Sequence, residues 1–267
     1  MTQIQFYGEG LAGYTRKKPL PGRLIVLEGT DGVGRSTQIA LLREWLESEG
    51  YAVRSTGLKR SKLAGKGIKK AMRGHTLGLL TSNLFYATDM VDRLEKVIVP
   101  ALRAGFVVLT DRYIYSVIAR AIVRGVDPTW IRDVFGFALI PDMAFYLHAD
   151  LPHLIPRVLN VRGFDFWESG LDFLPNRDRY DAFVEYQTRL IAQFEAMAQE
   201  YDFHRIDASQ SVRDVFRALK SEITEILANM MPVPPQEAEE ELAHVVAEEK
   251  DRRRKRKQQA RELAKGT

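Results

Sequence analysis

The chain has 267 residues, 45% of them hydrophobic, and a net charge of +4. That length holds one sizeable α/β core, or one domain with appendages, and the charge is too small to select a class of partner. The absence of cysteine excludes disulfides, thiolate metal sites and cysteine nucleophiles; with no apolar run near the ~18 residues of a membrane span and no N-terminal leader pattern, a soluble cytoplasmic protein without a membrane partner is expected.

Residues 1–21 carry Gly8, Gly10, Gly13, Pro19 and Pro21 with a basic Arg16-Lys17-Lys18, and read as a loosely ordered lead-in. Leu24-Ile25-Val26-Leu27, ended by Glu28-Gly29, reads as a buried strand entering a glycine turn. Residues 35–49 then place Ile39, Leu42, Trp45 and Leu46 on one helical face, stopped by Gly50. A strand is expected at 51–54, a long helix at 82–103, and a second apolar strand at 106–110 running into Asp111-Arg112. Helices follow at about 114–124 and 128–139, and a strand at 143–147. The stripe Phe183, Leu190, Phe194 and Met197 marks a core-facing helix at 179–201. A last strand at 203–206 and a helix at 211–230 complete the body. Alternating strands and helices imply a doubly wound parallel sheet covered on both faces, an α/β domain over 22–230. Residues 231–267 form a proline-rich linker and a charged helical tail, acidic at Glu237–Glu241 and basic from Arg252 to Lys257.

Gly29-Thr30-Asp31-Gly32-Val33-Gly34-Arg35-Ser36-Thr37 matches the phosphate-loop pattern G-x-x-x-x-G-K-[ST], except that Arg35 stands at the lysine position. Glycines let consecutive N–H groups turn inward toward a phosphate, and the helix start adds its positive end. A guanidinium keeps the charge but is broader and planar, so it cannot set one compact ammonium between two phosphates. Nucleotide binding tolerates that change more easily than transfer does.

The stretch 24–38, LIVLEGTDGVGRSTQ, resembles the opening of thymidylate kinases in its Glu28-Gly29, Asp31-Gly32 and Ser36-Thr37-Gln38. VVLTDRYIYS at 107–116 resembles the family's strand ending in Asp-Arg-Tyr, here Asp111-Arg112-Tyr113, with Ser116 three residues on. Phe85, Ala87, Asp89 and Leu94-Glu95 resemble the family helix; Pro141-Asp142, Tyr146-Leu147, Pro152 to Arg157, and Ile206-Asp207-Ala208 extend the likeness over about 23–228. The resemblance implies ATP-dependent phosphoryl transfer to a nucleoside monophosphate on a P-loop kinase fold, with ATP and Mg2+, in a homodimer. Residues 29–37 would hold the nucleotide, Ser36 would hold the metal, and Asp111 would hold it through water or orient the acceptor. Asp31 would face the acceptor sugar or the phosphate being transferred, and Arg112 would clamp the acceptor phosphate. Arg157 and Arg162 in the lid, with Arg35, would neutralise the moving group. Glu28, Tyr86, Arg93 and Tyr113 would line the acceptor site.

Departures cluster at substrate positions. Met90 replaces an arginine that holds the monophosphate, with Arg93 three residues on as a substitute; Arg120-Ala121 replace the family's base-reading Tyr-Gln; and an aromatic stretch, Phe164-Asp165-Phe166-Trp167-Glu168, replaces the lid's Asp-Arg pattern. A second reading therefore stays open: a nucleotide-binding protein with weak or lost kinase activity that acts through a partner or polyanion. The six basic residues 252–257 are either a solvated helical face or an arm for nucleic acid or another polyanion. The five histidines offer no metal-binding spacing beyond His148 and His153.

Overall fold

The structure, a computed structural model, describes residues 5–11, 20–74, 77–161 and 163–263. Strands β1 (Arg23–Glu28), β2 (Val53–Gly57), β3 (Val107–Asp111), β4 (Met143–His148) and β5 (His204–Asp207) form one parallel sheet. Their order is β2-β3-β1-β4-β5. β1 is apolar without alternation because both of its faces are covered. Leu24 and Val26 face one core and Ile25 and Leu27 the other.

Helices α1 (Arg35–Ser48) and α9 (Val212–Leu227) close the Ile25 side, through Leu42, Leu46, Leu219 and Ile223. The Leu24 side is closed by α3 (Leu79–Arg93), α4 (Val99–Arg103), α5 (Ile114–Val123) and α8 (Arg179–Glu200), through Met90, Leu102, Ile118 and Phe194. The helical path expected over 82–103 is continuous but passes through a π segment at Leu94–Ile98, directly before α4 with Pro100 in its first turn. Proline has no N–H to give, and a π turn absorbs that interruption. Of three further helices, α2 (Gly65–Gly74) and α7 (Leu151–Val161) border the site, while α6 (Pro128–Val134) packs against α5 with Ile131 in the Leu24-side core. In-register pairing sets Leu27 beside Asp111 and Glu28 beside Tyr146, which brings the glycine turn and the Asp-Arg-Tyr segment together at the carboxyl edge of the sheet.

Within the lead-in, residues 5–11 pack onto the body. Phe6 and Leu11 are buried, Phe6 bridges Leu139, and the Tyr7 hydroxyl meets that of Tyr115. The tail forms α10 (Pro235–Leu263). Its first half is a strut: Ala238 and Val245 are buried, Leu242 packs on the Leu24-side core, and Glu239 pairs with Arg54 at 2.7 Å. Glu249 pairs with Arg103 at 3.2 Å. In the basic block, Arg252 pairs with Glu248 and Lys255 with Asp251; the side chains of 253, 256 and 257 lie outside the description. Among the described residues no helix is long and apolar enough to cross a membrane.

Candidate active site

The glycine turn is required by its backbone. Gly29, Gly32 and Gly34 have φ of 138°, 86° and 88°, where side chains are strained. A Cβ on Gly29 would come within 2.4 Å of the Leu147 carbonyl oxygen, and one on Gly32 within 2.9 Å of Val158. A Cβ on Gly34 would meet nothing within 4 Å. That open space lies at the start of α1, where no side chain caps the first N–H groups. Open amides, helix dipole and space together make an anion cradle. Ser36 and Thr37 follow it on exposed positions, while Thr30 and Val33 are buried supports.

Arg35 folds back under the cradle. Its Nη1 donates to the Gly29 and Thr30 carbonyls at 2.6 and 2.5 Å, and its Nε to Asp111 Oδ1 at 2.9 Å. The Ser36 hydroxyl donates to the other Asp111 oxygen at 2.9 Å. Burial and the nearby Arg112 charge lower the Arg35 pKa, against the pull of Asp111 and Asp31. Burial opposes ionisation of Asp111, but Arg35, Arg112 and the Ser36 hydrogen bond hold its carboxyl below the usual range. The hydroxyl–carboxylate pair suits a hard cation such as Mg2+. Among the described residues no group of three or more His, Cys, Asp or Glu would hold a metal unaided, so nucleotide phosphates and water would complete the shell.

Arg112 sits in the left-handed region, φ 66°, with its N–H on the Leu27 carbonyl at 3.0 Å. Holding a non-glycine residue there costs about 1–3 kcal/mol, and such residues cluster at functional sites. The turn throws the Arg112 guanidinium back onto Asp31. Arg120 from α5 reaches the other Asp31 oxygen at 2.6 Å, and Arg35 stands 3.8 Å away. Burial disfavours the charged Asp31, yet the three arginines hold it far below the usual carboxylate range. Nε of Arg112 is enclosed without a partner.

Beside this cluster lies a cavity of about 450 Å³. Its walls include Tyr86, Val117 and Ala121; its cations are Lys59, Arg112, Arg120 and Arg124. Phe166, Trp167 and Phe173 roof it. The roof is held from α5: Arg124 donates to both Asp172 oxygens at 2.7 and 3.0 Å, to the Trp167 carbonyl at 2.9 Å and to the Tyr186 hydroxyl at 2.6 Å. From the other side, the Trp167 indole donates to the Met72 carbonyl of α2 at 3.0 Å.

The remaining sequence-selected residues fall in different places. Tyr86 lines the cavity, its hydroxyl 3.3 Å from Met72 Sδ. Glu28 and Tyr113 do not reach it. Glu28 is fully enclosed, accepting from the Tyr113 N–H at 2.7 Å and from the Ser116 hydroxyl, so it fixes the start of α5; burial raises its pKa. The Tyr113 hydroxyl is spent on the Leu139 carbonyl. Arg93 also lies off the cavity wall, 1% exposed and paired with Asp89 at 3.0 Å. Arg157 donates to the Ala208 and Ser209 carbonyls at 2.7 and 3.3 Å, beyond the glycine turn. Arg162 lies outside the described residues. Lys59 and Arg124 belong to no motif in the sequence, and Arg120 stands out there only as the replacement of a base-reading residue. Lys59 follows β2 at the carboxyl edge of a parallel sheet, the one positional signal that marks it.

The thymidylate kinase family model matches residues 27–219. The chain is 34% identical over 212 residues to a "Probable thymidylate kinase 2" of Saccharolobus solfataricus, covering 79% of this chain and 99% of that one. It is 32% identical over 206 residues to a "Probable thymidylate kinase" of Thermococcus gammatolerans, covering 73% and 93%. It is 33% identical over 218 residues to a "Thymidylate kinase" of Bifidobacterium longum subsp. infantis, covering 78% and 88%.

Proposed function

Because this chain belongs to the thymidylate kinase family, we propose that it transfers the γ-phosphoryl group of ATP to a nucleoside monophosphate. The observation that carries the reading is a junction: the anion cradle of residues 29–37 meets a basic, aromatic-lined cavity at the Asp31–Arg112–Arg120 cluster. ATP phosphates would rest on the cradle amides. The acceptor would enter under the Trp167 roof with its phosphate toward Arg112 and Arg120, whose charges would hold two anionic groups together. Magnesium, reached through Ser36 and Asp111, would neutralise charge on the transferring group. Arg157, at the Ala208–Ser209 carbonyls, would act from the nucleotide side, and Arg162 would share with it the neutralisation of the moving group. The test is product formation from ATP and Mg2+ with each common nucleoside monophosphate; conversion of one of them supports the reading, and conversion of none sinks it.

One observation favours the second reading, nucleotide binding with weak or lost transfer. The Arg35 donors are engaged by Gly29, Thr30 and Asp111, inside the loop rather than above it. ATP binding without turnover would select it. We further propose a cytoplasmic homodimer, supported by exposed Leu80, Leu84 and Phe85 along α3, and checked by sedimentation of a Leu84→Glu variant. The basic block 252–257 would serve a nucleic acid or other polyanion, which salt-dependent binding of full-length and shortened chains would test.

A further inference from the structure

The acceptor reading above leaves a shortage of cation. Met90, at the position of a family arginine, is fully buried, and its sulfur lies 3.4 Å from Arg93 Nη2, away from the cavity. Arg93 is committed to Asp89. From the β3 end and α5 come Arg112, Arg120 and Arg124; Arg124 is committed to Asp172, and Arg112 and Arg120 are already shared with Asp31.

A third cation arrives from an element that sequence left unassigned. The loop after β2 turns at Lys59, in the left-handed region with φ 61°. Asp89 fixes that turn: one oxygen accepts the Lys59 N–H at 3.0 Å and the other the Ser61 N–H at 3.0 Å, while Arg93 Nε holds the same carboxylate. Gly65 closes it from below, where a Cβ would stand 2.6 Å from the Lys59 carbonyl oxygen. Asp89, Arg93 and Gly65 thus present one side chain to the cavity. The Lys59 ammonium lies 3.4 Å from Met72 Sδ, and among the described residues no carboxylate pairs with it. Around the cavity it faces Asp31 of the glycine turn, Arg112, Arg120, and Asp165 and Glu168 of the roof; at the mouth α2 adds Lys69 and Arg73, and α3 adds Tyr86.

We propose that Lys59 binds the phosphate of the acceptor, completing with Arg112 and Arg120 a three-cation site for a phosphomonoester dianion. This rests on the nucleoside monophosphate reading above. The enclosed, unpartnered Arg112 Nε is a second sign of a missing anion. A phosphomonoester carries about −1.5 to −2 charges at neutral pH and three acceptor oxygens, enough to serve all three donors. Burial, with the Arg120 and Arg112 charges, pushes the Lys59 pKa down to about 8, against Asp31 and Glu168. The ammonium is therefore present at pH 7 and lost as pH climbs through that value. A bound dianion favours the charged lysine, so acceptor affinity should fall from pH 7 to 9.5, a range in which the phosphate itself has already passed its pKa near 6.

Calorimetric titration of the full chain with thymidine monophosphate, thymidine and ATP tests this on the wild type, Lys59→Met and Lys59→Arg. Lys59→Met should weaken the monophosphate about ten- to a hundredfold, as expected for a lost charge-assisted bond, and leave thymidine and ATP unchanged. Lys59→Arg should retain much of the affinity and lose its fall between pH 7 and 9.5, because a guanidinium stays charged. A Lys59→Met chain that binds the monophosphate as the wild type does overturns the Lys59 assignment and leaves the kinase reading standing. A wild type that binds neither thymidine monophosphate nor any other common nucleoside monophosphate in the same titration overturns both.

Discussion

Replacing Arg124 by methionine removes the hold of α5 on the roof of the acceptor cavity while keeping a side chain of similar reach. Five donated bonds disappear, to the two Asp172 oxygens, the Trp167 carbonyl, the Tyr186 hydroxyl and, within α5, the Arg120 carbonyl, along with the stacking of the guanidinium 4.7 Å over the Tyr186 ring. The Asp172 carboxylate, 16% exposed, then stands without its partner. Breaking a buried ion pair from one side costs about 3–5 kcal/mol, and the residual exposure of Asp172 places this pair near the lower figure. The segment 163–178 is turns rather than helix, so the loss should appear as local opening, with the open population rising about a hundredfold for ~3 kcal/mol. Trp167 is the reporter. With Trp45 and Trp130 changed to phenylalanine, acrylamide quenching of Trp167 should increase in Arg124→Met and partly recover in Arg124→Lys. The KM for the acceptor should rise while ATP affinity stays fixed. Wild-type quenching together with a wild-type acceptor KM would refute the latch.

Other outcomes follow from the same geometry. Arg35→Lys should raise phosphoryl transfer or leave it unchanged, because a compact ammonium can leave the Gly29 and Thr30 carbonyls for the phosphates; abolished turnover would make the guanidinium itself catalytic. Gly34→Val should abolish ATP binding measured by calorimetry, since the new side chain fills the open space of the cradle at φ 88°; undiminished affinity would move the nucleotide elsewhere. Ending the chain after Lys250 should leave the melting temperature unchanged. Ending it after Pro232 should lower it by several degrees, because buried Val245 and half-buried Leu242 leave the body and a fully buried large apolar side chain is worth about 1.5–3 kcal/mol; equal melting of both truncated forms would show the strut to be dispensable.

What the sequence disclosed was local. β1, the glycine turn and α1 are contiguous, and their pattern needs no distant partner: an apolar run, glycines where φ is positive, then a 3.6-residue period. The strands and helices from residue 106 to 230 follow the same logic, except that α6 ends at Val134 instead of running to 139. The cavity was less legible because its parts come from separate elements. Lys59 sits in a run of basic residues with no feature to set it apart until Asp89, 30 positions on, fixes its turn. Arg124 reads as a helix-end cation until Asp172 meets it from 48 positions away. Conversely, Glu28, Tyr113 and Arg93 occupy family positions, yet packing turns them inward as supports of α5 and of the Lys59 loop. The tail has too few apolar residues to specify a core of its own, and Ala238 and Leu242 join the one on the Leu24 side of the sheet.

The central claim is that the phosphate on the cradle and the phosphate in the roofed cavity are donor and acceptor of one transfer. ATP labelled in its γ-phosphate, incubated with Mg2+ and the best acceptor of the monophosphate panel, tests it most directly. Label is expected in the β-phosphate of the nucleoside diphosphate, one equivalent per ADP formed, with loss of that product in Arg112→Met. Label appearing only as free phosphate, or an Arg112→Met chain as active as the wild type, would contradict it.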